Sequence, residues 1–124
     1  IVPGPIGEMV KAILSEDMEK ANRLKDVLDP LFKVVTVNTI ESYEGFEVPT
    51  KFRNPSAIKT MMKGLGMPSG PCRPPLGKMT PKGMEIVRNA LKTVYEKDKE
   101  VFRPIQEFYK LNIEDHLTND RYWR

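Results

Sequence analysis

NPSAIKTMMKGLGMPSGPCRPPL, residues 54–76, puts two kinds of backbone side by side. Asn54 is a good acceptor for free helix N–H groups and Pro55 suits a first helical position, so the stretch predicts a helix that starts at Asn54. Ile58, Met61, Met62 and Leu65 fall on its buried side, and Gly64 and Gly66 end it. Pro68, Pro71, Pro74 and Pro75 then remove backbone donors in quick succession. Residues 67–79 therefore read as an extended or turning loop that wraps a surface.

Outward from this stretch the dominant period is helical. On the N-terminal side Ile6, Met9, Val10, Ile13 and Leu14 mark one apolar face, with Pro5 in the first turn. Ser15-Glu16-Asp17 interrupts the pattern and can cap the next helix. Ala21, Leu24, Leu28, Leu31, Phe32 and Val35 trace that second, longer helix, in which Pro30 predicts a bend near Leu28 or a short break. Thr36 to Arg53 shows no clean period. Val34, Val35 and Val37 are β-branched but too few to establish a strand, and Tyr43-Glu44-Gly45-Phe46 followed by Pro49 reads as loop. On the C-terminal side Thr80-Pro81 is a second cap-plus-proline start, and Met84, Val87, Leu91, Val94 and Tyr95 give the stripe of a fourth helix. Lys97 to Glu100 is a charged break. A last helix over residues 104–112 is expected to bury Ile105, Phe108 and Tyr109, and the tail NIEDHLTNDRYWR to fold back on apolar surface.

Composition bounds the function. Hydrophobic residues at 40% and charged residues at 30% are ordinary for a soluble globular chain. No apolar run approaches the ~20 residues that cross a membrane. The opening IVPGPIGEMV lacks the basic start and apolar core of a signal peptide. The chain does not begin with Met, so it reads as a processed product, a truncation or an excerpt. The single cysteine, Cys72, leaves no internal disulfide and fits a reducing cytoplasm. Net charge is +3, from 20 basic and 17 acidic residues that are interleaved almost everywhere, so neither nucleic acid nor membrane is an expected partner. The one imbalance, Lys51 to Arg73, reads as a solvated basic face.

Chemistry-bearing motifs are sparse. Neither G-x-G-x-x-G nor G-x-x-x-x-G-K-[ST] occurs. One His and one Cys, far apart, make no metal site and imply no cofactor. His116 could ligate a metal or move a proton, but packing is the commoner role of such a residue. Cys72 has no His near it in sequence to activate a thiolate. Glu16, Asp17 and Glu19 sit at a helix start, where the macrodipole accounts for them, and Glu114-Asp115 lies at a helix end or on a polar face. Met9, Met61, Met62 and Met84 fall on apolar faces and read as core filling. No residue of the chain reads as catalytic.

N-P-x-x-x-K at Asn54, Pro55 and Lys59, with P-S-G-P-x-R-P-P-L at Pro68 to Leu76 after it, resembles the C-terminal region of the dihydrodipicolinate synthase/N-acetylneuraminate lyase family. These are pyruvate-dependent class I aldolases built on a (β/α)8 barrel. The resemblance extends to Ile1-Val2-Pro3, to E-D-M-E-K-A-N-R-L at Glu16 to Leu24, to L-D-P-L-F at Leu28 to Phe32 and to the helix from Thr80. Two segments depart from it: Val101 to Arg124 runs past the point where many short relatives stop, and Thr39 to Phe52 is more polar than usual.

The resemblance implies a mainly α fold: the C-terminal helical part of a (β/α)8 barrel lyase, with the barrel strands absent. A whole barrel needs about 250 residues, and the chain has 124. Residues 1–36 would be the last barrel-flanking helices, and residues 37–124 a C-terminal helical subdomain with the proline-rich loop 67–79. The implied chemistry is a Schiff base between a barrel-strand lysine and pyruvate, with a tyrosine relaying protons. A G-x-x-G-E-like segment and a T-T pair would bind the pyruvate carboxylate. None of these is in the chain, and they would lie upstream of Ile1. Lys59 belongs to the N-P-x-x-x-K helix and is not the imine lysine. Asn54 alone is a contributor to the active-site surroundings, alongside its role as a cap. The full-length protein would take pyruvate with an aldehyde or 2-keto acid. Dihydrodipicolinate synthesis, N-acetylneuraminate cleavage and 2-keto-3-deoxy sugar acid cleavage share this scaffold, and a homo-tetramer is common to it. The chain alone would be inactive. An autonomous helical interaction module without catalysis is the alternative. Without a barrel, the apolar faces between Pro5 and Val35 are expected to stand open and to drive self-association.

Overall fold

The computed structural model describes residues 1–124. Two helices, α1 (Pro3–Leu14) and α2 (Met18–Lys33), pack against each other across a short turn. Asp17 caps α2 by accepting from the Lys20 N–H at 3.1 Å, the role expected for the Ser15–Asp17 interruption. Contrary to the expectation of open faces, α2 buries Ala21, Leu24, Leu28 and Leu31 against the body of the protein. Only Phe32 and Val35 of its stripe are exposed. On α1 the expectation holds: Ile6, Val10, Ile13 and Leu14 are exposed, Leu14 at 79%, and Ala12 is the helix's one buried residue.

Pro30 does not break α2, which continues to Lys33. A proline inside a helix leaves the carbonyl four residues earlier without its N–H donor. That carbonyl belongs to Asp26, and Lys97, at the far end of another helix, donates to it at 2.7 Å. A side chain from elsewhere in the fold thus supplies the hydrogen bond that the proline removes.

The segment read as loop is a β-hairpin. β1 (Val37–Tyr43) pairs antiparallel with β2 (Phe46–Phe52), in register from Val37↔Phe52 to Tyr43↔Phe46. The connection is the two residues Glu44 and Gly45, with φ of 49° and 85°. Left-handed backbone at both positions is what a tight hairpin turn requires, and glycine adopts it without steric cost. Pro49 is accommodated because both strands of a two-stranded sheet are edges. At the base, Val37 is buried and Phe52 packs on the core, whereas Tyr43 and Phe46 near the turn are exposed.

α3 (Ser56–Gly64) begins later than expected. Asn54 does not cap it: the residue before the helix is Pro55, and no side chain accepts from the first turn. The Ser56 N–H instead donates to the Arg53 carbonyl at 2.9 Å, so a backbone turn serves one donor that a cap would have served. Gly64 stays inside the helix. Its end is set by Gly66 at φ 77°, with Gly66 N–H donating to Lys63 O at 3.0 Å and Met67 N–H to Met62 O at 2.9 Å, a Schellman closure.

After the irregular loop 67–79, α4 (Pro81–Lys97) starts as expected, with Thr80 accepting from the Gly83 N–H at 3.2 Å. Val87, Leu91 and Val94 have no exposed surface. α4 packs on α2, α3 and β1, which makes it the post of the fold. The chain ends with a 3₁₀ turn (Lys99–Phe102), α5 (Arg103–Tyr109), α6 (Ile113–Thr118) and a 3₁₀ turn (Asp120–Trp123). α5 is shorter than expected and buries Ile105, but Phe108 is 78% exposed and rests edge-on against Tyr109. The tail does fold back, with Trp123 in the core. The fold is thus mainly α, as expected, with one hairpin added.

These contacts can be tested in solution. Lys97→Met should cost about 1 kcal/mol in urea denaturation, and clearly less in a Pro30→Ala background, where the Asp26 carbonyl regains a helical donor. Equal costs in both backgrounds would show that the bond does not offset the proline. A second test concerns Glu41, whose Oε1 accepts from Thr39 Oγ1 at 2.6 Å and from Thr80 Oγ1 at 2.7 Å. The Thr39 hydroxyl first, then that of Thr80, holds this carboxyl below the ordinary glutamate value of 4.5. A depressed carboxyl contributes stability that is present above its unfolded pKa and lost as pH falls through the folded one. Denaturation midpoints should therefore fall below pH 4.5, and Glu41→Gln should flatten that fall.

Candidate functional site

The two halves of the motif stretch are one physical unit. Loop 67–79 is poor in N–H donors of its own. Lys59, on the first turns of α3, supplies them: its Nζ donates to the carbonyls of Gly70 and Pro71, both at 3.1 Å. Ser69 Oγ returns the connection by donating to the Lys59 carbonyl at 3.0 Å. Ser56 Oγ and Cys72 Sγ lie 3.8 Å apart, closing the loop onto the start of the helix. An ammonium with three donors can hold two carbonyls at once, which no neutral side chain of similar reach does as well. Lys59 is thus a staple between helix and loop. Asn54 stands apart, exposed and without a side-chain hydrogen bond, at the junction of β2 and α3.

The far wall is the C-terminal tail. A Cβ at Gly64 would overlap Cη2 of the Trp123 ring, so the absence of a side chain there lets the indole seat against α3. Trp123 Nε1 donates to the His116 carbonyl at 2.8 Å, and His116 Nδ1 lies 2.9 Å from the Gly64 carbonyl. His116 also stacks on Tyr122 at 3.7 Å. It is buried and serves packing. The Tyr122 hydroxyl donates to Asp115 Oδ2 at 2.7 Å and is the main cause holding that carboxyl below its ordinary range, with Asn119 and Arg121 adding to it and desolvation opposing. Arg88 of α4 fixes the tail through Nε to Leu117 O and Nη1 to Asp120 Oδ1, both at 2.6 Å.

Between loop, α3, the start of α4 and the tail lies a groove of about 420 Å³, with Lys63, Cys72, Lys78, Met84 and Trp123 among its walls. It offers the side-chain cations of Lys63, Lys78 and Arg124 beside apolar surface, and none of its lining side chains is a carboxylate or an imidazole. Nowhere in the chain do three His, Cys, Asp or Glu side chains converge closely enough to hold a metal ion. A second, wholly apolar concavity of about 200 Å³ opens where α1, α2 and α3 meet, lined by Ile6, Leu28, Phe32, Val35 and Met61 among others. No helix is long and apolar enough to cross a membrane. Lys78 and Trp123 were not singled out from sequence. The signal for Lys78 was the basic imbalance, which continues past Arg73.

The chain matches no family-wide sequence profile and no solved structure. It does match curated enzymes named 4-hydroxy-tetrahydrodipicolinate synthase. It is 34% identical over 91 residues to the one from Thermoanaerobacter sp. (strain X514), covering 73% of this chain and 26% of that protein. The protein of that name from Methanocaldococcus jannaschii is 34% identical over 92 residues, 74% of this chain and 27% of the relative. The one from Methanococcus vannielii is 33% identical over 94 residues, 76% of this chain and 28% of the relative. About three quarters of this chain is thus similar to part of these synthases. It spans only about a quarter of the length of the curated relatives it matches.

In the segment 54–76, the staple ties the loop's order to one amine. Lys59→Met should speed amide hydrogen exchange at Leu76, whose N–H donates to the Arg73 carbonyl at 3.0 Å within the loop, and cost about 1 kcal/mol in global stability. Unchanged protection in the loop would mean that the prolines alone hold it.

Proposed function

We propose that the chain is the C-terminal part of a pyruvate-dependent lyase of the dihydrodipicolinate synthase type. The observation that carries this reading is the 33–34% identity to synthases over about three quarters of the chain. The order of the N-P-x-x-x-K and P-S-G-P-x-R-P-P-L elements supports the C-terminal placement. The exposed apolar stripe of α1 supports it too. A helix that packs on one side and presents Ile6, Val10, Ile13 and Leu14 on another is shaped to lie between two layers. Each such side chain is worth roughly 1.5–3 kcal/mol when fully buried.

On this reading residues 1–36 flank a (β/α)8 barrel, and residues 37–124 form the C-terminal subdomain, with loop 67–79 stapled to it. The lysine that forms the imine with pyruvate and the proton-relaying tyrosine belong to the barrel, upstream of Ile1. A protonated imine withdraws electrons from the adjacent carbon, which lets a carbanion form there and attack an aldehyde or leave a 2-keto acid. The assembled enzyme is cytoplasmic and tetrameric, and Asn54, free of structural bonds, supports the surroundings of its active site.

Fragment complementation tests this. The Thermoanaerobacter synthase, cut back to remove the matching segment, is co-expressed with this chain, and pyruvate is trapped with borohydride. The two pieces should co-purify, and the adduct should form on the barrel piece only. In the assembled pair Asn54→Ala should lower turnover several-fold with little change in melting. Alone, the chain should self-associate in a sedimentation dilution series. A pyruvate adduct on this chain, or a cooperatively melting monomer that ignores the barrel piece, would overturn the reading and leave an autonomous helical module.

A further inference from the structure

The groove beneath loop 67–79 has a charge pattern that the lyase reading does not use. Between Glu47 and Glu85 the sequence contains no Asp or Glu, against seven Lys and Arg. Folding brings this acid-free segment round the groove and adds Arg124 from the tail. Lys63 Nζ donates to the terminal carboxylate of Arg124 at 2.6 Å, so this ammonium already has its anion. Lys78 and the Arg124 guanidinium make no hydrogen bond or ion pair with the protein, although both line this groove and the one adjoining it. Two acidic side chains, Glu85 and Asp120, line the adjoining groove. Asp120 is already engaged by Arg88 at 2.6 Å. Met79, Met84 and Trp123 line the same groove. A volume of about 420 Å³ falls in the size range of small-molecule sites.

We propose that this groove binds a small organic anion, with its carboxylate or phosphate monoester group on Lys78 and the Arg124 guanidinium and its apolar body against Met84 and Trp123. Unpaired cations beside a half-apolar wall favour such a ligand over inorganic phosphate, which has no body to bury, and over a neutral molecule, which leaves the cations unpaired. The proposal goes beyond the lyase reading and does not depend on it.

Trp123 is the chain's single tryptophan and part of the groove wall, so its emission reports occupancy directly. The full 124-residue chain is titrated with butyrate, butyl phosphate, inorganic phosphate and butanol. At least one of the two organic anions should give a saturable change, with inorganic phosphate weaker and butanol without effect. Whichever organic anion binds tighter identifies the headgroup. Lys78→Glu should weaken that binding at least about 10-fold, the worth of one charge-assisted hydrogen bond. Lys25→Glu, on α2 and away from the groove, should leave it unchanged. Melting curves of both variants confirm that each is folded. No saturable response to either organic anion, a response to butanol equal to theirs, or equal affinity in Lys78→Glu and Lys25→Glu would overturn the proposal.

Discussion

Burial of one side of α4 is the constraint on which the other elements depend. Val87, Leu91 and Val94 have no contact with solvent, and α2, α3, β1 and the first 3₁₀ turn each rest on this helix. Both ends are also fastened by hydrogen bonds that reach far along the sequence. At the start, the Thr80 hydroxyl accepts from Gly83 and donates to Glu41, so the same oxygen begins the helix and ties down the hairpin. At the finish, Lys97 holds the carbonyl that Pro30 orphans in α2. Partway along, Arg88 holds the tail. The walls of the groove are therefore set by α4, although most of the residues lining it lie on other elements.

Much of this was legible where burial is one-sided. The stripes of α2 and α4 recur with the helical period because one face of each meets the core and the other meets water. Asp17 and Thr80-Pro81 announced their helices through short-range capping chemistry, which sequence carries in full. The hairpin was not legible because its distal half has no buried face. Ile40 and Tyr43 point to opposite sides of the sheet and both are exposed, so alternation gave no contrast between apolar inside and polar outside. Phe108 misled in the opposite sense: it keeps the helical spacing of a core residue, but it faces solvent and rests edge-on against Tyr109.

The candidate site divides the same way. The motif stretch is visible in the sequence, but the task of Lys59 is not, because a staple is defined by carbonyls eleven and twelve positions away. Asn54 has the right residue type for a cap, yet the Arg53–Ser56 backbone turn took that role. The seating of Trp123 against Gly64 depends on a contact between positions distant in the chain, and local pattern cannot register it. Gly64, read as a helix terminator, is a clearance for an aromatic ring.

The hairpin turn has a further meaning. Register is pinned at the base by Val37 and Phe52 on the core and by Glu41 on the two threonine hydroxyls, whereas Glu44 and Gly45 touch none of these anchors. A segment anchored only at its root can change length at its tip at little thermodynamic expense, since loop entropy grows slowly with size. The turn is therefore where this chain could accept inserted residues over evolutionary drift, or a grafted epitope at the bench, while the helical body keeps its packing.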